Sequence, residues 1–132
     1  MKIKFKQNKE TILKLLESSN LKRKVRILDK LNGVNEKDSI KILLKVLEDA
    51  SWTLREKAAY KLAKYGNRVV PRLKRLLTRG YWFTRAAACL SLGEIGNIET
   101  TDSLIELLVN DENPTVRKEA STALTKLATQ EP

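Results

Sequence analysis

Residues 79–85 read Arg-Gly-Tyr-Trp-Phe-Thr-Arg, so three of the chain's seven aromatic residues stand side by side between two arginines. Aromatic rings stack on nucleic-acid bases, and guanidinium groups grip phosphates bidentately. The stretch therefore has the chemistry of a single-strand binding site. It is equally suited to a turn between two helices.

A second set of residues shares the bias. Lys57, Lys61, Lys64 and Arg68 are spaced 4, 3 and 4 apart, which places them on one face of a helix. Shifting the chain by 31 residues lays Arg26 on Lys57, Lys30 on Lys61 and Lys37 on Arg68. Arg72, Lys74, Arg75 and Arg79 crowd the stretch that follows, and Lys14, Lys45 and Arg75 recur in register before Glu106 ends that series. Residues 1–40 carry net +6, residues 41–80 net +8 and residues 81–132 net −4. Such a field points to an anionic partner, either nucleic-acid backbone or an acidic protein. Arg26, Lys30, Lys37, Lys57, Lys61, Lys64, Arg68, Arg72, Arg75, Arg79 and Tyr81 are the candidate binding residues. Phosphate contacts from them would be salt-sensitive and carry little sequence preference.

The composition narrows the remaining chemistry. The 132 residues contain no histidine, which removes imidazole as base, acid or metal ligand. The chain has no GxxxxGK[ST], GxGxxG or HExxH motif. No helix-turn-helix, zinc-finger or RRM signature suggests base readout. No enzyme activity, cofactor or metal is expected. The single cysteine, Cys89, lies between Ala88 and Leu90 and reads as buried. Glu94 reads as an exposed charge. No apolar run approaches the ~20 residues of a membrane span, and MKIKFKQNKE lacks a secretory apolar core. One soluble cytoplasmic domain is the expectation.

The elements that must position these residues come from an internal repeat. Lys24, Arg55, Arg85 and Arg117 recur at spacings of 31, 30 and 32. A double aliphatic precedes each: Leu15-Leu16, Val46-Leu47, Leu76-Leu77 and Leu107-Leu108. Apolar or small residues follow at +3, +7 and +10, as in Ala58, Leu62 and Tyr65. That spacing is one face of a helix. Each unit is thus two amphipathic helices, with the second starting just before its anchor. Asn32-Gly33, Gly66-Asn67 and Gly96-Asn97 read as helix stops, and Pro71 suits a first turn. Four such units, about 9–35, 39–67, 69–97 and 100–128, predict an all-α solenoid of stacked helix pairs.

The run LSLGEIGN…TTDSLIELLVNDENPTVRKEASTALTKLA resembles the HEAT repeat, in particular the short variety found in phycobilisome lyases. LLKVLEDASWTLREKAAYKLAKYG repeats the pattern, while unit one is degenerate. The resemblance implies that Asp49 and Asp111 form a ladder between repeats with Arg55, Arg85 and Arg117. Thr78-Arg79 stands where unit three should carry its turn acid, so the ladder is interrupted there. The resemblance also implies that the second helices line a concave face, where stacked basic stripes would form a positive groove. Deoxyhypusine hydroxylases resemble this fold but need histidine. HEAT-like alkylpurine DNA glycosylases share its basic character, but no motif of theirs is matched here.

Two functions follow. The first is a binding module for nucleic-acid backbone. The second is a protein–protein scaffold that grips an acidic partner or associates head to tail. Within the aromatic triplet, Trp82 aligns with Trp52 and reads as turn packing. Phe83 either fills the core beside Thr84 or is free. Tyr81 is the stacking candidate.

Overall fold

The computed structural model describes residues 9–129. The MKIKFK stretch lies outside the described residues. Eight α-helices follow in order: α1 (Lys9–Ser18), α2 (Leu21–Asp29), α3 (Glu36–Val46), α4 (Trp52–Ala63), α5 (Val70–Arg79), α6 (Trp82–Ile95), α7 (Thr101–Asn110) and α8 (Pro114–Thr129). Short 3₁₀ turns at Leu31–Gly33, Gly66–Val69 and Ile98–Thr100 separate the pairs. No strand occurs among the described residues.

The anchors set the helix starts. Each second helix, α2, α4, α6 or α8, begins three residues before its anchor. The Asn20 and Ser51 side chains cap α2 and α4 by accepting the Arg23 and Leu54 amides. Asn113 Oδ1 accepts the Val116 amide at the start of α8. Each such cap satisfies an amide that the first helical turn leaves free. At the other end of α6, Gly96 adopts φ 76°, a left-handed stop that favours glycine. Gly66 also has positive φ, but Gly33 does not and merely ends its 3₁₀ turn.

Each first helix packs on its own partner, and the second helices stack α2–α4–α6–α8. The result is an α-solenoid of stacked helix pairs. The aliphatic anchors Leu16, Val46, Leu47, Leu77 and Leu107 are buried, with Leu15, Leu76 and Leu108 packed against them. Helix α6 is enclosed by α4, α5 and α8, and Ala86 through Gly93 are all buried. Its small residues permit that enclosure. A Cβ on Gly93 would meet the Ala123 Cα at 2.9 Å.

This stacking changes the meaning of the basic stripe. Its unit-three positions, Ala87 and Ser91, are buried, and Ser91 Oγ donates to the Ala59 carbonyl at 2.8 Å. The stripe register therefore runs along the contact between consecutive second helices.

Candidate functional site

A charged ladder runs along the turns that join first to second helices. Lys24 Nζ meets Asp49 Oδ2 at 2.7 Å. The other oxygen, Asp49 Oδ1, accepts the Ser51 amide, and the Asp49 carbonyl accepts Arg55 Nη1 at 2.7 Å. Unit four repeats the arrangement with a stronger fork. Arg85 donates from Nε and Nη2 to the two Asp111 oxygens at 2.8 and 3.0 Å. Asp111 Oδ1 also accepts the Asn113 amide, and the Asp111 carbonyl accepts Arg117 Nη1 at 2.7 Å. Each acid thus ties its own turn to the anchor of the preceding unit. Burial raises the carboxyl pKa of Asp49 and Asp111. The Lys24 and Arg85 hydrogen bonds, the turn amides and the nearby cations outweigh it, and both carboxyls end below their ordinary value.

Unit three breaks the ladder. By hydrogen bonding, the counterpart of Asp111 is Gly80 rather than Arg79. Each caps its first helix through its amide, to the Leu107 and Leu76 carbonyls respectively. The Gly80 carbonyl accepts Arg85 Nη1 at 2.9 Å, as the Asp111 carbonyl accepts Arg117. The turn is one residue shorter here, because nothing stands between Gly80 and the cap residue Tyr81 where Glu112 separates Asp111 from Asn113. That shortening closes the position to any side chain. A Cβ on Gly80 would meet the Leu76 carbonyl at 2.9 Å and Thr84 Cγ2 at 3.0 Å.

The anchor of unit two is consequently left without an acid. Arg55 is 6% exposed, and its Nε is buried with no hydrogen-bond partner. The bond from Nη1 to the Asp49 carbonyl is the only one its side chain makes among the described residues. Two rings lie over the guanidinium instead: Phe83 at 4.8 Å and Trp52 at 5.5 Å from Cζ. Tyr81 stacks on Phe83 at 5.2 Å, and Trp82 meets Phe83 edge-on at 5.6 Å. Burial lowers the Arg55 pKa, opposed by the charge of Asp49. Cation–π contact recovers about 1 kcal/mol, less than a charge-assisted fork of about 1.5–3 kcal/mol.

Phe83 is not core filler. It is half-buried on Arg55, while Thr84 keeps the core position and donates to the Leu47 carbonyl at 2.8 Å. Trp52 and Trp82 are more open than turn packing implies, at 38% and 44% exposed. Tyr81 is 61% exposed and makes no side-chain cap bond at its N-cap position. It borders a depression of about 280 Å³ with Leu13, Leu16, Glu17, Lys45, Val46, Glu48 and Asp49 on its walls.

The predicted cations divide into two groups. Lys57 and Lys61 reach Asp29 at 2.7 and 3.9 Å, and Arg68 reaches Glu36 at 2.5 Å. Burial holds the Lys61 pKa below its ordinary value, with Asp29 opposing. The Lys64 register carries Glu94 in unit three and Lys126 in unit four, and these two pair with each other. Three stripe cations, Lys57, Lys61 and Arg68, are therefore paired with acids of the neighbouring unit. Arg26, Lys30, Lys37, Lys64, Arg72, Arg75 and Arg79 make no side-chain ion pair among the described residues. Arg72, Arg75 and Arg79 are brought together. With Leu44 and Leu76 they line a shallow groove of about 310 Å³.

Sequence reasoning missed Asp29 and Glu36 as partners of the stripe, although both lie within the register it compared. It placed Arg55 in the ladder and the interruption at Thr78-Arg79, but did not connect the two. The absence of an acid in 79–81 was the signal, because a missing acid leaves the preceding unit's arginine open. Cys89 is fully buried, and burial, with the charges of Glu119 and Asp111, pushes its thiol up to about 12. Such a thiol is unreactive. No cluster of three metal-ligating side chains occurs among the described residues, and none of their helices is long and apolar enough to cross a membrane.

The stacked pairs and their turn ladder define a HEAT-type solenoid. The HEAT-repeat family model matches residues 9–84 and 80–132, and the chain belongs to that family. No curated protein matches it significantly. HEAT repeats serve in general as protein–protein interaction modules, and the fold is typically a non-enzymatic scaffold.

Proposed function

We propose that this HEAT-repeat protein is an interaction module that binds an acidic protein segment at the unit-three turn. The observation that carries this reading is the turn itself. It lacks both the ladder acid and the N-cap hydrogen bond, and it displays Tyr81, Trp82 and Arg79 to solvent. Exposed Trp, Tyr and Arg side chains around a buried charge are the usual composition of interface hot spots. A binding role without catalysis, cofactor or metal fits this surface. The likeness to the phycobilisome-lyase variety of repeat rests on LGEIGN and VRKEASTAL, and it supports the scaffold reading alone.

The test is selection from a random-peptide display library. Enriched peptides are expected to carry Asp or Glu beside apolar residues. Their affinity should fall at least ~10-fold on Tyr81→Ala or Trp82→Ala. Enriched peptides indifferent to both substitutions contradict the reading.

A second reading, nucleic-acid backbone binding, is favoured by the unpaired row Arg72, Arg75 and Arg79. It predicts DNA or RNA binding with a log–log salt slope steeper than about −3. Arg72→Glu with Arg75→Glu should weaken that binding more than Lys57→Glu with Lys61→Glu, whose native lysines are already paired with Asp29. No binding at ~50 mM salt removes this reading.

A further inference from the structure

The Arg55 fork has an occupied template elsewhere in the same chain. Arg85 uses Nε and Nη2 to hold both oxygens of Asp111. In Arg55 those two nitrogens make no hydrogen bond among the described residues, and Nε is fully buried. The chain does not supply the acid itself, because the Gly80 position lies too close to the Leu76 carbonyl and to Thr84 for a side chain. Phe83, backed by Tyr81, and Trp52 lie over the guanidinium, and Tyr81 is mostly exposed.

We propose that the vacant Arg55 fork receives an aspartate or glutamate carboxylate from a loop of a protein partner, which displaces the Tyr81–Phe83 stack and completes the rung from outside. The inference rests on the protein-partner reading above and adds the receptor group and the ligand chemistry. A carboxylate matches the fork's two parallel donors. The neighbouring depression favours a peptide over a nucleic-acid backbone. Leu13, Leu16 and Val46 give it apolar lining, and its Glu48 and Asp49 are already paired with Lys45 and Lys24, which leaves no free cation there for a run of phosphates. An apolar side chain next to the incoming acid fits there. Trp52 and Trp82 flank the entry and exclude water from the completed ion pair.

The chain's own occupied turn provides the probe. A peptide copying residues 107–117 carries the Asp111 that fills the Arg85 fork. Titrated into ¹⁵N-labelled protein, it should shift the Arg55 Nε–Hε resonance saturably, with Kd near ~1 mM. The same peptide with Asp111→Asn should not. Arg55→Lys keeps the charge, loses the fork and should abolish binding, read at the backbone amides of Tyr81 and Phe83. Phe83→Ala removes the cover and should tighten binding about 3-fold, by sparing the cost of displacing it. Arg117 is an internal control, since its Nε and Nη2 have no acid among the described residues and no ring is recorded over it.

Four results overturn the proposal: equal shifts from both peptides, no shift at Arg55, a shift at Arg117 without one at Arg55, or an oligothymidylate that shifts Arg55 more strongly than the peptide. Display-selected peptides that depend on Tyr81 and Trp82 yet leave the Arg55 resonance unmoved would defeat the fork while leaving the protein-partner reading intact.

Discussion

The turns before α6 and α8 join equivalent helix pairs by opposite means. Before α8, Asp111 bonds the preceding anchor through both oxygens, and Asn113 caps the helix. Before α6, Gly80 has no side chain to offer, and Tyr81 stands at the cap position without capping. The turn before α8 thus pairs both Asp111 oxygens and caps its helix. The turn before α6 leaves Arg55 Nε orphaned in a buried setting and lays Phe83 over the guanidinium, with Tyr81 and Trp82 packed on Phe83. A repeat protein tolerates one such weak junction, since each unit leans mainly on its neighbours. Local choices that depart from the rules of stability gather where binding is served.

The comparison can be broken from its strong side first. Asp111→Ala should cost about 3 kcal/mol, because Arg85 would lose a partner whose side chain is only 5% exposed. Chemical denaturation measures it. Asp49→Ala should cost about 1 kcal/mol, since Lys24 makes a single contact at a more open site.

Acid should act on the same two rungs. The carboxyls of Asp49 and Asp111 titrate below their unfolded value of about 3.9. Their stabilisation is complete above that pH and is lost as pH falls through the folded values. Asp111→Asn should therefore flatten the decline in stability below pH ~4, whereas substitutions in the unit-three turn should leave its slope unchanged.

The weak side should yield smaller effects, one of them of the opposite sign. Tyr81→Ser supplies the missing cap and should raise stability by about 1 kcal/mol while weakening peptide binding. Phe83→Leu removes a ring from Arg55 and should cost about 0.5–1 kcal/mol.

Much of this architecture was legible in the chain because period and anchor are local signals. The recurrence of Lys24, Arg55, Arg85 and Arg117 located every second helix. The ladder was legible for Asp49 and Asp111 from their place in the repeat. The one-residue shortening at Gly80 was not, because alignment by the anchor puts Arg79 there and only hydrogen bonding reveals the shift. The pairing within the stripe was hidden for a related reason. Helical spacing places Lys57 and Lys61 on one face but is silent on Asp29, which meets them from the adjacent helix. Exposure of the tryptophans was also hidden, because first-turn residues point away from the stacked core as readily as into it.

The central claim is that the unit-three turn gives up stability for binding. Exchanging residues 79–83, Arg-Gly-Tyr-Trp-Phe, for residues 110–115 of unit four, Asn-Asp-Glu-Asn-Pro-Thr, restores turn length, acid and cap together. The most direct measurement is the melting temperature of that exchange variant, taken alongside its affinity for display-selected peptides. The account predicts a rise of roughly 5 °C or more with loss of binding. An unchanged or lower melting temperature with binding retained would contradict it.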